Sequence, residues 1–555
     1  MPYPFLGKTL SGRFTVPSGI VTTAPSIIQR TLRDVPEIGV ITTKSIGLEP
    51  RLGNREPVYS QYAPGCFVNA VGLTNPGAHA ARETLGQLTV PADRFLLVSI
   101  FGGNVDEFVA VATLLEPVAD GFELNLSCPH ASGYGMAMGQ DPDMVFRIVA
   151  AVKAATDKPV IPKLTPNVPD IASIGKAAID AGADGLCAIN TVGPGYTEAH
   201  GAPVLSNGVG GMSGKGVLPT ALKCIRELSA ITDKPIIGCG GLSSAADAAA
   251  AFHAGASIAG VGSALSGLDS ADLQRYFADL EADLERASDN AERRIRYDLP
   301  MDFQPVTVVE NTAVCEDIAV VTFSESVNIQ AGEYVFVWIP GVGEKPFSCL
   351  TDSPLRLAVI SVGEFTQACY ALQPGQTVYI RGPYGTPVAP PENARIVCVA
   401  GGTGLAAVYQ IARDFGNDDD PVRIFAGARS ADRLYFTDEC AEIAELTIAT
   451  DDGSAGVEGR VTDALESYLA SLSTQERDNL WFYNCGPEPM IHAAEAVQRQ
   501  YGKDQQIFSA IDYTTKCGVG ICGACAAPDG RRICIDGPFI NREPALLAST
   551  PPKGE

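Results

Sequence analysis

The chain has 555 residues, of which 46% are hydrophobic and 19% charged, and its formal net charge is -24. This length exceeds what one hydrophobic core supports and predicts several globular domains. The negative charge disfavours nucleic acid and anionic membrane surfaces as partners. The sequence contains no uninterrupted apolar run of about eighteen residues, so it predicts no membrane span. We therefore expect a cytoplasmic protein with neither a nucleic-acid nor a membrane partner.

The first half of the chain alternates β-branched or apolar runs with amphipathic helical stretches. Eight such runs precede about residue 267, and they begin at Phe14, Ile38, Arg94, Gly121, Pro159, Gly185, Pro235 and Ser257. Eight βα repeats in this length predict an α/β TIM barrel, with a doubly wound sheet as the weaker alternative.

The second half changes character after a charged helical stretch over 269–287 and a proline-containing linker that begins at Arg296. Residues 303–388 show short strands separated by Gly and Pro turns, which predicts a small antiparallel β-barrel. A βαβ pattern resumes at Arg395 and predicts a nucleotide-binding α/β lobe. The predicted domains are therefore 1–290, 303–390, 391–505 and a C-terminal segment, 506–555.

Polar residues follow the predicted barrel strands, at the end where TIM barrels carry their active sites. These residues are Lys44, Asn125, Cys128, Lys163, Asn190 and Thr191. A lone lysine is more often a solvated charge, and a lone cysteine is more often a small buried residue. Their combination at one rim favours a functional site.

Glycines follow the last two predicted strands, where TIM barrels commonly bind phosphate through backbone N–H groups. They are Gly240 and Gly241, then Gly262 with Ser263, and a GGMSG segment begins at Gly210. This pattern predicts a phosphate-bearing cofactor, and FMN is suitable.

Four of the fifteen cysteines lie close together near the C-terminus, in the pattern C-x4-C-x2-C-x8-C: Cys517, Cys522, Cys525 and Cys534. Four thiolates with intervening glycines are typical of a [2Fe–2S] cluster in a reducing compartment. A structural zinc site is the alternative, although zinc ribbons usually have two C-x2-C pairs.

Two motifs upstream of the cysteines indicate nucleotide cofactors. GGTG, at Gly401, Gly402, Thr403 and Gly404, follows a predicted strand and opens a helix, so its backbone is suited to a dinucleotide pyrophosphate. The nearby Arg429 and Arg433 leave the choice between NAD and NADP open. The second motif resembles the FAD-binding pattern of the ferredoxin reductase family, with lysine in place of the usual arginine; its residues are Lys345, Pro346, Phe347, Ser348, Gly363 and Thr366.

The first 267 residues resemble dihydroorotate dehydrogenases over their full length, on the segments TKS from Thr43, NAVGLTNPG from Asn69, NLSCP from Asn125, KLTPN from Lys163, INT from Ile189 and GGMSG from Gly210. The resemblance implies that Cys128 is the catalytic base, for which a thiol is better suited than a hydroxyl. It implies FMN contacts from Ser18, Lys44, Ser45, Asn125, Lys163, Gly211, Gly240, Gly241, Gly262 and Ser263. It implies substrate contacts from Asn69, Gly72, Leu73, Asn125, His130, Asn190 and Thr191.

Residues 303–541 resemble the electron-transfer subunit of NAD-linked dihydroorotate dehydrogenases, normally a separate chain. The two resemblances imply a fused enzyme of pyrimidine biosynthesis that oxidises dihydroorotate to orotate, with electrons passing from FMN through [2Fe–2S] and FAD to NAD. They also imply a homodimer formed through the TIM barrel. His130 stands where asparagine is usual, so a reductase of uracil or thymine is one alternative, and a non-catalytic scaffold stabilised by zinc is another.

Overall fold

The computed structural model describes residues 3–126, 136–417 and 421–547. The chain divides into two compact units. The first comprises Met1–Leu299, Val519–Arg532 and Pro544–Glu555, and the second comprises Pro300–Gly518 and Ile533–Glu543. Residues of the predicted C-terminal segment therefore belong partly to each unit, and the division into four domains stays a prediction. In the described ranges, every helix is too short or too polar to cross a membrane.

The first unit is built on a closed barrel of eight parallel strands, in which each strand pairs with the next along the chain and the last pairs with the first. The strands are Phe14–Val16, Ile38–Thr42, Phe95–Ile100, Gly121–Asn125, Val160–Leu164, Leu186–Ala188, Ile236–Cys239 and Ile258–Gly260. Each lies within one of the eight predicted runs. The TIM barrel is confirmed, and the doubly wound alternative is wrong.

Nearly all residues of these strands are buried, because a parallel barrel is covered by helices outside and filled by side chains inside. The helices of the first unit are Pro25–Asp34, Ala78–Leu85, Val105–Leu115, Met136–Gly139, Pro142–Ala155, Ile171–Asp180, Leu218–Ser229, Ala245–Ala254, Ser270–Arg286 and Asn290–Arg294. Local sequence sets several starts: Asn104, Asp170 and Ser244 each accept a hydrogen bond from the first turn of the helix that follows.

A second, antiparallel sheet of four strands belongs to the first unit and was not predicted. Its strands are Tyr59–Ala63, Cys66–Asn69, Val192–Tyr196 and Val209–Gly214. The other strands that the structure describes in the first unit form two short hairpins. These pair Tyr3–Phe5 with Lys8–Leu10 and Glu198–Ala199 with Ala202–Pro203.

The second unit begins with a seven-stranded antiparallel sheet and the helix Glu364–Tyr370. Its strands are Gln304–Ala313, Ile318–Phe323, Tyr334–Ile339, Gly343–Phe347, Cys349–Asp352, Leu355–Ile360 and Thr377–Tyr384. A Val- and Ile-rich core fills one side of this sheet, with Val335 and Leu355 fully buried. The antiparallel pairing agrees with the prediction, although the seven strands form a sheet with Gly343–Phe347 and Cys349–Asp352 at its edges and not a closed barrel.

The remainder of the second unit is an α/β lobe with a seven-stranded sheet that is parallel except for its last strand. The strands are Arg395–Gly401, Arg423–Ala428, Glu445–Thr450, Val457–Glu458, Leu480–Cys485, Ile507–Ala510 and Ile540–Asn541. The helices are Gly404–Phe415, Thr437–Ile443, Val461–Ser471, Thr474–Arg477, Glu488–Tyr501 and Ile533–Asp536. One apolar cluster contains residues of both sheets, so the lobe and the antiparallel sheet share a core.

Candidate active site

A cleft of about 1180 Å³, open solvent at its mouth included, lies at the carboxyl ends of the barrel strands. Its walls combine strand-end residues with residues of the four-stranded sheet. The predicted residues that line it are Ser18, Lys44, Ser45, Asn69, Gly72, Leu73, Asn125, Lys163, Asn190, Thr191, Gly240, Gly241, Gly262 and Ser263. The strand-end rule therefore brings residues from separate parts of the chain to one site, as predicted.

A chain of hydrogen bonds orders the polar side chains of the cleft. Asn190 Nδ2 donates to Asn125 Oδ1 at 3.2 Å, and Asn125 Nδ2 donates to Ser45 Oγ at 2.9 Å. Ser45 Oγ also lies 3.0 Å from Ser18 Oγ and 2.9 Å from Ser99 Oγ. These bonds hold the amides in fixed orientations, which suits recognition of a flat polar ring.

Lys163 is a buried cation in this cleft, with a side chain only 6% exposed. Its Nζ lies 3.7 Å from Glu123 Oε2, and Ser99 Oγ donates to the other carboxylate oxygen, Glu123 Oε1, at 2.8 Å. Burial alone would lower the pKa of Lys163, but the negative charge of Glu123 reverses this effect, and the pKa is raised above its usual value. The cleft therefore presents a permanent positive charge.

The glycines that follow the last two strands form a backbone cradle at one end of the cleft. Gly240 and Gly241 adopt φ values of +123° and +81°, which favour glycine. Gly262 precedes a short 3-10 helix, Ser263–Leu265. In TIM barrels this position commonly binds phosphate. The cradle and the polar strand ends fit a flavin mononucleotide.

The segment Val519–Arg532 forms part of the cleft wall, although it lies some 250 residues beyond the barrel in the chain. Val21 N donates to Ile521 O at 2.7 Å, and Thr23 Oγ1 donates to Cys522 O at 2.7 Å. Both Ile521 and Cys522 line the cleft. Arg532 is buried and donates to Leu268 O at 2.8 Å, which holds the end of the segment on the barrel.

All four clustered cysteines are buried: Cys517, Cys522, Cys525 and Cys534. Gly518, Gly520 and Gly523, which lie between them, have φ values of +82°, +72° and +66°. Left-handed glycines let a loop turn its backbone N–H groups towards bound sulfide, so the donor set fits a [2Fe–2S] cluster. No three His, Cys, Asp or Glu side chains of the described ranges are grouped to hold one metal ion, and a [2Fe–2S] cluster, with two protein ligands for each iron, does not need such a group.

In the second unit, the GGTG motif has the predicted setting, because it joins the strand Arg395–Gly401 to the helix Gly404–Phe415. A Cβ atom at Gly404 would lie 2.2 Å from Cys485 O, so glycine is required there for close packing. Lys345 to Phe347 end a strand, and Thr366 Oγ1 accepts from the backbone N–H of Gly363 at the start of a helix. Arg433 binds Asp317 at 2.6 Å and Glu316 at 3.1 Å.

Comparison with known proteins agrees with this geometry. The family model "Dihydroorotate dehydrogenase" matches residues 3–284, just over half of the chain. The chain belongs to the dihydroorotate dehydrogenase family. Further family models, "Oxidoreductase NAD-binding domain" and "Iron-sulfur cluster binding domain of dihydroorotate dehydrogenase B", match residues 398–496 and 514–544.

Similar relatives are catalytic subunits of "Dihydroorotate dehydrogenase B (NAD(+))". The protein from Pyrococcus horikoshii is 48% identical over 249 residues, which cover 45% of this chain and 80% of the relative. The protein from Pyrococcus furiosus is 45% identical over 260 residues, which cover 47% and 85%. The protein from Methanocella arvoryzae is 43% identical over 260 residues, which cover 47% and 85%. This dihydroorotate dehydrogenase family member therefore carries the domains of an electron-transfer partner in the same chain.

Two predicted residues, Cys128 and His130, lie outside the described residues. Among those that are described, Gly211 takes a different position from the other predicted barrel residues: its carbonyl accepts from Asn69 Nδ2 at 3.3 Å, and a Cβ there would lie 2.1 Å from Thr191 Oγ1. Its contact with FMN stays a prediction, as do the individual roles of the other residues.

Sequence reasoning missed twelve residues of the cleft: Pro17, Gly19, Ile20, Tyr59, Val71, Ile189, Met212, Ser213, Val217, Cys239, Ile521 and Cys522. Ile189 and Cys239 stand at predicted strand ends, so the same rule could have found them. Tyr59 and Met212 belong to the unpredicted sheet. Cys522 was predicted only as a cluster ligand, and no pattern in the sequence placed it at the flavin cleft.

Gly262→Ala is expected to weaken FMN binding without destabilising the fold. A Cβ at Gly262 would lie 3.6 Å from Ile20 Cγ1 and 3.8 Å from Pro17 Cγ, which are ordinary contacts. Because Ile20 and Pro17 also line the cleft, the methyl group would occupy cofactor space. We expect FMN affinity to fall about tenfold or more, measured by fluorescence titration of the apoprotein.

Gly241→Ala is the contrasting variant for this prediction. Its Cβ would lie 2.7 Å from Leu218 N, and the positive φ of Gly241 is unfavourable for alanine, so both FMN affinity and the melting temperature should fall. A Gly262→Ala protein that binds FMN as tightly as the unmodified chain would contradict the placement of the cradle.

Proposed function

We propose that this chain oxidises (S)-dihydroorotate to orotate and reduces NAD, in de novo pyrimidine biosynthesis, with FMN, a [2Fe–2S] cluster and FAD as redox groups. The observation that carries the proposal is one chain with a polar flavin-sized cleft in a dihydroorotate dehydrogenase barrel, followed by NAD-binding and iron–sulfur domains of the same enzyme class. When bound, the flavins accept and deliver hydride, and the cluster passes single electrons.

The side chains of the chain supply binding, charge and proton transfer. We assign to Cys128 the role of the base that removes the C5 proton of dihydroorotate, because of its position in the family motif. Asn69, Asn125 and Asn190 offer amide donors and acceptors that suit the edges of a pyrimidine. Lys163, held charged by Glu123, is placed to stabilise negative charge that develops on a ring in the cleft.

The contacts of Arg433 remove one of the two arginines near this turn as a partner for the 2′-phosphate of NADP, which supports NAD as the acceptor. An arginine near this turn would be needed to bind the 2′-phosphate of NADP. Arg433 is instead bound to the carboxylates of Asp317 and Glu316, which would also repel that phosphate.

The wider assignments follow from the resemblance and from charge. We assign four functional regions: 1–290 to FMN and substrate, 303–390 to FAD, 391–505 to NAD and 506–555 to the cluster. We also assign a cytoplasmic location, a homodimer formed through the barrel, and small molecules rather than nucleic acid or membranes as partners. Sedimentation of the purified chain tests the dimer directly.

Anaerobic titration of the purified protein with dihydroorotate tests the function. We expect bleaching of both flavins and the visible and electron paramagnetic resonance signals of a reduced cluster. The same titration with dihydrouracil should leave the spectra nearly unchanged. A preference for dihydrouracil would favour a pyrimidine reductase, and a colourless protein that contains zinc but no iron would overturn the redox assignment altogether.

A further inference from the structure

A buried ion pair in the second unit lies beside its FAD-type motif. Arg381 precedes the GPYG segment, and Glu344 precedes the KPFS segment. Arg381 Nε and Nη2 lie 2.5 and 2.8 Å from the two carboxylate oxygens of Glu344, which is a bidentate pairing. Both side chains are almost fully buried, at 1% and 0% exposure.

Such a pair needs an explanation other than stability. Removing an arginine and a glutamate from water is costly for each ion, and a well-packed apolar pair often gives an equally stable protein. The strand Tyr334–Ile339 lies between the strands that carry the two residues, so the pair does reach across the sheet. Apolar side chains could connect these two strands equally well.

The remaining nitrogen of the guanidinium, Nη1, has two partners. Arg381 Nη1 donates to Cys517 O at 3.0 Å and to Tyr384 Oη at 2.6 Å. The guanidinium lies over the ring of Phe336, 4.1 Å from its centroid, which fixes its plane. Because Glu344 takes two of its three nitrogens, Arg381 can present only this nitrogen to the cysteine segment.

The residue after Cys517 packs against the same group. Gly518 has a φ of +82°, and a Cβ there would lie 3.0 Å from Phe336 Cε2 and 3.1 Å from Tyr384 Cδ1. Glycine is therefore required for the approach of this backbone to the aromatic rings. Two independent contacts, one polar and one steric, set the position of the Cys517 backbone.

We infer that Arg381 is a positioning residue for Cys517, the first of the four cysteines, and that Glu344 orients Arg381. The inference rests on the proposed function, in which Cys517 binds the [2Fe–2S] cluster. Arg381 holds the backbone carbonyl of Cys517 against the strands next to the FAD-type motif. The fold thereby couples the geometry of the cluster ligand to the antiparallel sheet that carries the FAD-type motif, and not only to the cysteine loop.

The test replaces the pair by apolar residues of similar size, Arg381→Met with Glu344→Leu, so that no unpaired charge remains buried. We expect the FAD content and melting temperature to stay near those of the unmodified protein. The half-life of the cluster against an iron chelator should fall about 10- to 100-fold, as is typical when an outer contact of a metal ligand is lost. Arg381→Lys, which keeps one donor, should recover part of this half-life.

A matched control removes an ion pair of the same unit that is not part of this contact, Arg413→Gln with Asp352→Asn, whose atoms lie 2.9 Å apart. The control should keep the half-life of the cluster. A half-life within twofold of the unmodified protein in Arg381→Met with Glu344→Leu would overturn the inference. If that variant loses FAD or unfolds, Arg381→Lys decides: a folded, FAD-replete lysine variant must lose its cluster faster than the unmodified protein. Absence of any cluster from the unmodified, reconstituted protein would instead refute the proposed function.

Discussion

Replacing Cys525 with alanine is expected to lower dihydroorotate-dependent NAD reduction by about 100-fold or more, because loss of an outer contact of a metal ligand already costs 10- to 100-fold. Oxidation of dihydroorotate by an artificial dye that takes electrons directly from the barrel flavin should stay within about twofold, since the chemical step needs only the barrel. Cys525 is buried and does not belong to the cleft wall formed by Ile521 and Cys522. Steady-state assays with NAD and with the dye as electron acceptor measure the two rates.

The dye activity should survive because the docking of the cysteine segment does not depend on Cys525. Val21 N, Thr23 Oγ1 and Gly267 N bind the carbonyls of Ile521, Cys522 and Val519, and these bonds remain. Cys369→Ala is the matched control: this thiol is also buried, burial raises its pKa to about 12, and it has no proposed redox role. Equal loss of both activities in Cys525→Ala would mean that the segment supports the cleft rather than electron transfer.

The barrel could be predicted from sequence because each strand is a short, buried run, and several of these runs lead into polar residues. The run that contains Val160–Leu164 shows both features: its strand residues are all buried, and Lys163 reaches the cleft from its end. The carboxyl ends of parallel strands meet at one rim, so naming the strand ends also named much of the site. Spacing along the chain was enough, because the barrel closes in chain order.

The rest depended on contacts between residues far apart in the chain. Thr23 and Cys522 are joined by a hydrogen bond across 499 positions, and neither local periodicity nor motif spacing records such a contact. The strands of the four-stranded sheet are interrupted by the barrel itself, so their pairing could not be read from neighbouring turns. Arg381 and Glu344 each look like a solvated charge in a strand, and only their burial identifies them as a pair.

Glu123→Gln is expected to introduce a fall in rate at alkaline pH that the unmodified enzyme lacks. In the native protein the pKa of Lys163 is raised: burial lowers it, but the charge of Glu123 more than compensates. Its ammonium and the stability it confers are therefore retained up to alkaline pH, and are lost only as the pH rises through that raised pKa. With glutamine at position 123 the main influence that opposes burial is removed, and only the weaker effects of Cys187 and Cys239 still raise the pKa. Burial can then bring the pKa of Lys163 well below its usual value.

Lys163 should then lose its proton within the ordinary assay range, and a neutral amine cannot stabilise negative charge in the cleft. The rate of dihydroorotate oxidation should fall about tenfold as the pH rises from about 6 to 9, with no such limb in the unmodified enzyme. Urea denaturation should show a loss of about 3–5 kcal/mol in the free energy of unfolding, since breaking one half of a buried ion pair leaves the other charge uncompensated.

Ser99→Ala separates the charge of Glu123 from its hydrogen bonding. This variant removes the donor to Glu123 Oε1 but leaves the carboxylate, and with it the electrostatic cause of the raised pKa of Lys163. It should cost about 1–3 kcal/mol of stability and show no fall in rate at alkaline pH. If Glu123→Gln shows no fall in rate at alkaline pH while the protein stays folded, the charge of Lys163 does not depend on Glu123, and the buried pair serves only to hold the barrel core together.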